Sequence, residues 1–309
     1  MKLLEMYMAN GKAVTVIFMA LSIFLMLVPS MVIGQKCNKG KFVLKEDGLC
    51  NESPYELVFE DGFDVPELDN SKWLPRYTWH NSDGLALYTL GLNYEFADGI
   101  LKLIPKKEKN RANRIDYLPE TDTLGDGLVN NRQYEFTSGM IFSKNLYGDG
   151  VFEIRCKIPS GQDYWPAFWL FGDGGELDIF EFYEHGELFS NYRHRVRMNQ
   201  HHNGSCPTKH YGPDYSGEFH TFKLVREPYK LEWYVDGTLK RRVWLYYGKF
   251  GKGLSCNKQV DGKKVKRNNI YPVGPMHLIV NLSIAGENPT LPNTMEIDYI
   301  KIYKRKTGS

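Results

Sequence analysis

Lys230 to Trp244 reads KLEWYVDGTLKRRVW. Apolar and aromatic residues mix with charged ones on both sides of Asp236-Gly237, and an Asp-Gly pair between two such runs is the strongest short-range signal for a two-residue β-hairpin. Working outward, the chain from residue 55 repeats the same kind of pattern. YELVFEDGF, GILKLIP, SGMIFSK, GVFEIRCKIP, WPAFWLFG, ELDIFEFY, FHTFKLV, MHLIVNLSI and MEIDYIKIYKR are short runs rich in β-branched and aromatic residues, most of them separated by turn formers. No stretch after residue 34 keeps a helical period over three turns. An aromatic content of 14% and 29 glycines fit strands joined by tight turns. The expectation is an all-β fold, a two-sheet antiparallel β-sandwich of jelly-roll type. Residues 61–93 and 106–135 are less regular and read as loops over it, the basic run KKEKNRANRID as a solvated one.

The 39 basic and 37 acidic residues give a formal charge of +2, so nothing electrostatic calls for a nucleic acid partner. No partner protein is implied, and a monomer is expected. Ala13 to Ile33 is a nearly unbroken apolar run behind Lys2 and Lys12, with Val32 and Gly34 small enough for a cleavage site. Residues 1–34 therefore read as a signal peptide, or as a membrane anchor if uncleaved, and the chain as secreted or extracytoplasmic. Residues 35–52 form an N-terminal extension, and 53–305 a single large domain. In an oxidising compartment Cys37 and Cys50 are expected to pair, as are Cys206 and Cys256, leaving Cys156 as a small buried strand residue. Zinc held by Cys206 with His201, His202 and His210 is disfavoured, because no CxxC or HxxxH spacing supports it.

The most informative run is Gly174 to Tyr183, GGELDIFEFY. Alternate strand residues share a face, so Glu176 and Asp178 point one way and Leu177 and Ile179 the other. Continued strictly, that alternation buries Glu181, at high cost. One extra residue at Ile179-Phe180, a β-bulge, turns Phe180 to the core and brings Glu181 round to the other two acids. Three neighbouring acids repel one another, which chemistry explains better than stability does. The Glu176 and Glu181 backbones would lie about 13 Å apart, and inward-leaning side chains can shorten that toward the ~5 to 5.5 Å of retaining glycosidases.

ELDIFE resembles the E-x-D-x-x-E signature of glycoside hydrolase family 16, and WPAFWLFG resembles the segment before it. ADGILKL, SGMIFSK, YGDGVFEIRCKIPSG, FHTFKLVREPYKLEWYVDG, MHLIVNLSIAG and MEIDYIKIYKR extend the likeness over residues 55–304. The resemblance implies a concanavalin A-like jelly roll with a concave sugar cleft and a catalytic domain at 53–305. It further implies a retaining endo-β-glycanase with Glu176 as nucleophile, Glu181 as general acid/base and Asp178 as the assisting carboxylate. In that scheme the charges of Glu176 and Asp178 keep Glu181 protonated. The bulged spacing is similar to laminarinases and to the agarase and carrageenase branches, which points to β-1,3-glucan or, failing that, a marine galactan. The resemblance is also compatible with a transglycosylase and with a non-catalytic β-glucan-binding protein; the presence of all three acids disfavours the latter.

Further residues follow from the resemblance. Trp165 and Trp169, on one face of their strand, are candidates for stacking on sugar rings. One of His201 and His202 is expected in the cleft, with Asn93 and Tyr183 as further substrate contacts. Asp298 and the Gly99 backbone resemble a structural calcium site, remote from the chemistry. Catalysis itself needs no cofactor.

Overall fold

The computed structural model describes residues 41–43, 55–79, 82–113, 131–183 and 192–306. Among these, secondary structure is almost wholly β, the exceptions being one helical turn, Asn257–Val260, and two short 3-10 turns. Two antiparallel sheets make the sandwich. The first has seven strands in the order Thr208–Tyr211, Arg195–His201, Gly175–Glu181, Tyr164–Gly172, Met276–Ile284, Met140–Tyr147, Trp73–Leu74. The second runs Thr238–Trp244, Lys230–Val235, His220–Glu227, Gly150–Lys157, Met295–Arg305, Ile100–Leu103, Tyr94–Ala97, with Tyr55–Asp61 also paired to Met295–Arg305.

Strand periodicity puts the core between these sheets. Buried and part-buried residues alternate strictly along His220–Glu227, so Phe222 and Leu224 point inward. They meet Phe168, Leu177 and Phe180 of the first sheet in one apolar cluster. Each fully buried Phe or Leu contributes on the order of 1.5 to 3 kcal/mol. The hairpin closes as its sequence dictates: Val235 pairs with Thr238, and Asp236 and Gly237 both take positive φ, 47° and 73°.

Parts of the two segments read as loops, 61–93 and 106–135, form strands; residues 80–81 and 114–130 of them lie outside the described residues. Lys106–Asn113 pairs antiparallel with Asn131–Ser138, which pairs in parallel with Ala86–Tyr88, and Ser82–Asp83 completes this four-stranded side sheet. Charged residues dominate Lys106–Asn113, and Lys106–Asn110 is exposed, so no apolar alternation marks it as a strand. Cys156 is buried and free, as expected of a small residue in a core strand. Cys37, Cys50 and the apolar run Ala13 to Ile33 lie outside the described residues. Among the described residues no helix is long and apolar enough to cross a membrane.

Candidate active site

The acid strand Gly175–Glu181 carries the bulge its sequence implies. Against Tyr164–Gly172, Phe168 faces Phe180 but Trp169 faces Asp178, leaving Ile179 as the extra residue. On the other side Asp178 faces Asn199 and Glu181 faces Arg197, the same two-against-one count. Leu177, Ile179 and Phe180 all lie in the core, while Glu176, Asp178 and Glu181 line one cavity of about 280 Å³. From the opposite sheet the Trp233 indole donates to the Asp178 carbonyl at 2.9 Å and pins the bulge from beneath.

The acids are held from both flanks. Trp165 Nε1 donates to Glu181 Oε1 at 3.0 Å. His201 Nε2 lies 3.1 Å from Asp178 Oδ2 and 3.3 Å from Glu176 Oε1 and faces both carboxylates. Burial first, and the charge of Asp178 second, push Glu176 up to about 8, while His201 pulls it down. Glu181 also rises to about 8, again through burial first and Asp178 second, with Trp165 and Arg197 acting the other way. Burial therefore outweighs the neighbouring charges that the sequence emphasised for Glu181. The bond to Asp178 raises His201 above the ordinary imidazole value.

The remaining candidates separate into those in the cavity and those outside it. Trp165 and Trp169 both line it, with Pro166 and Phe168 opposite. Trp169 donates to Asn281 Oδ1 at 2.8 Å and packs edge-on to Tyr77. Tyr183 lies beside Glu181, its ring centroid 4.7 Å from that of Trp165 and 4.2 Å from the Arg197 guanidinium carbon. Of the two histidines it is His201 that reaches the acids; His202 belongs to the turn closed by its N–H to the Gly204 carbonyl at 3.0 Å. Asn93 departs from expectation. It is fully buried, donates to the Ile104 carbonyl at 2.6 Å and Thr137 Oγ1 at 3.1 Å, and so ties a loop to a strand end, away from the cavity.

Sequence reasoning missed Tyr77, Trp79, Asp83, Phe171 and Asn281, which complete the cavity wall. Tyr77 and Trp79 are stacked, centroids 5.0 Å apart, and Trp79 lies 4.8 Å from Phe171. The W-x-x-x-W-x-F spacing from Trp165, which puts Phe171 on the face of the two tryptophans, would have added it. Among the described residues, Glu176, Asp178 and His201 are the three side chains whose metal-capable atoms all fall within 4.8 Å; their mutual hydrogen bonds already account for that approach. At the calcium-like position, the Asp298 carboxylate is ion-paired with Arg155. A Cβ on Gly99, where φ is +70°, would lie 3.3 Å from Asp64 Oδ1 and 3.6 Å from the Gly62 carbonyl. Those oxygens suit a hard cation, but Asp298 already has a guanidinium as counter-ion.

The family model for Glycosyl hydrolases family 16 matches residues 109–249, a stretch that contains the acid strand and both its neighbours. Glucan endo-1,3-beta-glucosidase A1 of Niallia circulans is 25% identical over 291 residues, covering 81% of this chain but only 38% of its own length. The beta-glucanase of Rhodothermus marinus is 24% identical over 280 residues, covering 81% of this chain and 85% of itself. The laminarinase catalytic domain of Thermotoga petrophila has the same fold, with a TM-score of 0.58 and 24% identity over 82% of this chain and the whole of that one. The match over residues 109–249, which spans the acid strand, and the β-glucanase relatives make the chain similar to glycoside hydrolase family 16, and its fold is that of a laminarinase catalytic domain.

Proposed function

We propose that the protein is a secreted endo-β-glycanase that cleaves internal linkages of β-1,3-glucan by a retaining double displacement. The observation that carries this reading is the bulge, which brings three acids into one cavity with apolar residues beneath. Glu176 attacks the anomeric carbon while Glu181 gives its proton to the departing glycosidic oxygen; water then cleaves the glycosyl ester, with Glu181 taking the water's proton. Burial raises Glu176 and Glu181 alike, so the two carboxyls hold protons as a coupled pair; His201, touching Glu176 and Asp178, favours ionisation at the Glu176 end, the form the nucleophile needs, while Glu181 is the proton donor. When Glu176 is esterified its charge disappears, and Glu181 becomes the base that the second step needs. Asp178, 2% exposed and hydrogen-bonded to His201, sits between the two in the acid row. Trp165 and Trp169 offer ring faces to the sugar, with Tyr183 beside the acid/base.

The test is incubation with laminarin, mixed-linkage glucan, agarose, porphyran and κ-carrageenan, with product sizing and proton NMR of the first-formed anomer. Internal cleavage of laminarin with β-anomers formed first is expected. Cleavage of a galactan alone would overturn the substrate, and α-anomers the mechanism. Export directed by residues 1–34 and the bridges Cys37 to Cys50 and Cys206 to Cys256 belong to the same proposal, and mass mapping of the mature protein reads both. A structural calcium at Gly99 and Asp298 would have to displace Arg155 from Asp298; it is expected to raise the melting temperature, and an EGTA-treated sample that melts unchanged removes it.

A further inference from the structure

A fourth carboxylate lines the cavity, and it comes from outside the acid strand. Asp83 belongs to Ser82–Asp83 of the side sheet and shares the cavity wall with Tyr77, Trp79, Trp169 and Glu176. Its segment is fixed to the end of Met276–Ile284. Ser283 Oγ donates to the Asp83 carbonyl at 2.6 Å, and Leu85 N–H donates to the Ile284 carbonyl at 2.9 Å. Gly84 takes φ +54°, and a Cβ there would lie 2.4 Å from the Ile284 carbonyl oxygen. Only glycine allows so close a dock, and the dock leaves Asp83 rigidly placed.

The charge of Asp83 is what needs explaining. Burial raises its carboxyl to about 6, and the groups that favour the carboxylate are the Gly84 N–H, at 2.9 Å from Oδ1, and the Tyr77 hydroxyl. An asparagine could accept both bonds through its amide oxygen without any charge. The negative charge instead costs stability, because it is held out of water and further disfavours ionisation of Glu176. A group that burdens the fold while facing the cavity is explained by what enters the cavity. Sugar hydroxyls are donors, and a carboxylate accepts two at once; the rings of Trp79 and Trp169 in the same wall suit the apolar face of a pyranose.

Resting on the glycanase reading above, we propose that Asp83 is a specificity-determining residue: it accepts hydrogen bonds from two hydroxyls of a neutral glycosyl unit next to Glu176, and its charge turns away units carrying a sulfate ester or carboxylate at that position.

The experiment compares wild type with Asp83→Asn, which keeps the acceptor for Gly84, and with Asp83→Ser. Melting temperatures verify folding. Laminaripentaose and its sulfated and carboxymethylated forms serve as probes, for binding by calorimetry and for kcat and KM by product release. Losing hydrogen bonds to a charged acceptor is expected to raise Kd and KM for the neutral pentasaccharide about tenfold to a hundredfold, with kcat within a few-fold. The preference for neutral over charged forms should fall by about tenfold or more. Folded variants with wild-type Kd, KM and preference would overturn the role of Asp83, as would absence of pentasaccharide binding by the wild type. Pentasaccharide that binds in an Asp83-dependent way but is not cleaved would overturn the glycanase reading alone.

Discussion

On the second sheet acids come with cations: Glu296 meets Lys157 at 2.9 Å, Glu60 meets Lys301 at 2.8 Å, and Asp298 pairs with Arg155. In the cleft, by contrast, Glu176, Asp178, Glu181 and Asp83 form no ion pair with lysine or arginine among the described residues, and the basic side chain that touches two of them is the His201 imidazole. Part-exposed acid–base pairs on a strand surface contribute about 0 to 1 kcal/mol and can be exchanged at small cost. Four carboxyl groups drawn together with little compensation weaken the fold, and such a cluster persists where reactivity requires it.

The sharpest way to break this contrast is to neutralise one acid of each kind. Glu176→Gln is expected to lower kcat by about a thousandfold or more, since the nucleophile has no substitute. Glu296→Gln should leave kcat unchanged and shift stability by about 0.5 kcal/mol or less. Steady-state kinetics on laminarin distinguishes them, and near-normal turnover in Glu176→Gln would remove it as nucleophile.

A second prediction uses pH. Glu176 and Glu181 have carboxyls raised to about 8 from an ordinary value of 4.5, so between those limits the folded state binds protons that the unfolded state has released. Their contribution is therefore fully present below about pH 4.5 and is lost as pH rises through about 8. Urea unfolding is expected to show wild type losing about 1 kcal/mol or more between pH 5.5 and 8.5. Glu176→Gln should lose less over the same interval, while Glu296→Gln follows wild type. Equal losses in all three would mean that the cleft acids titrate as ordinary surface groups.

What the sequence revealed of this arrangement is what local periodicity encodes. Alternation is a two-residue rule, so the conflict at Phe180-Glu181 and its repair by one extra residue are both visible in ten letters. The Asp236-Gly237 turn is equally local. Asp83, Tyr77 and Trp79 lie in a stretch without period, and they reach the acids only because Gly84 docks on Ile284, two hundred residues further along. Asp83-Gly84 has the letters of an ordinary turn dipeptide. Asn93 failed for a related reason: a buried asparagine bonding the Ile104 carbonyl and one offered to a ligand have the same local sequence. The sign of the Glu181 shift followed from its neighbours, but its main cause, burial, depends on packing that only the folded chain supplies.

The smallest expected effect separates the two ends of the acid row. Trp165 Nε1–H donates to Glu181 and stabilises its ionised form, whereas His201 acts on Glu176 and Asp178. Trp165→Phe keeps an apolar ring against Tyr183 and deletes that one donor. Glu181 then holds its proton more tightly, so the alkaline limb of kcat/KM moves to higher pH, by about half a unit to one unit for a part-exposed bond to a carboxylate. The acidic limb, set at the Glu176 end, should stay in place. Paired pH–rate profiles of wild type and Trp165→Phe read both limbs. Were the acidic limb to move instead, the proton donor and the nucleophile would have to exchange places; were neither to move, the indole would be only a wall of the cleft.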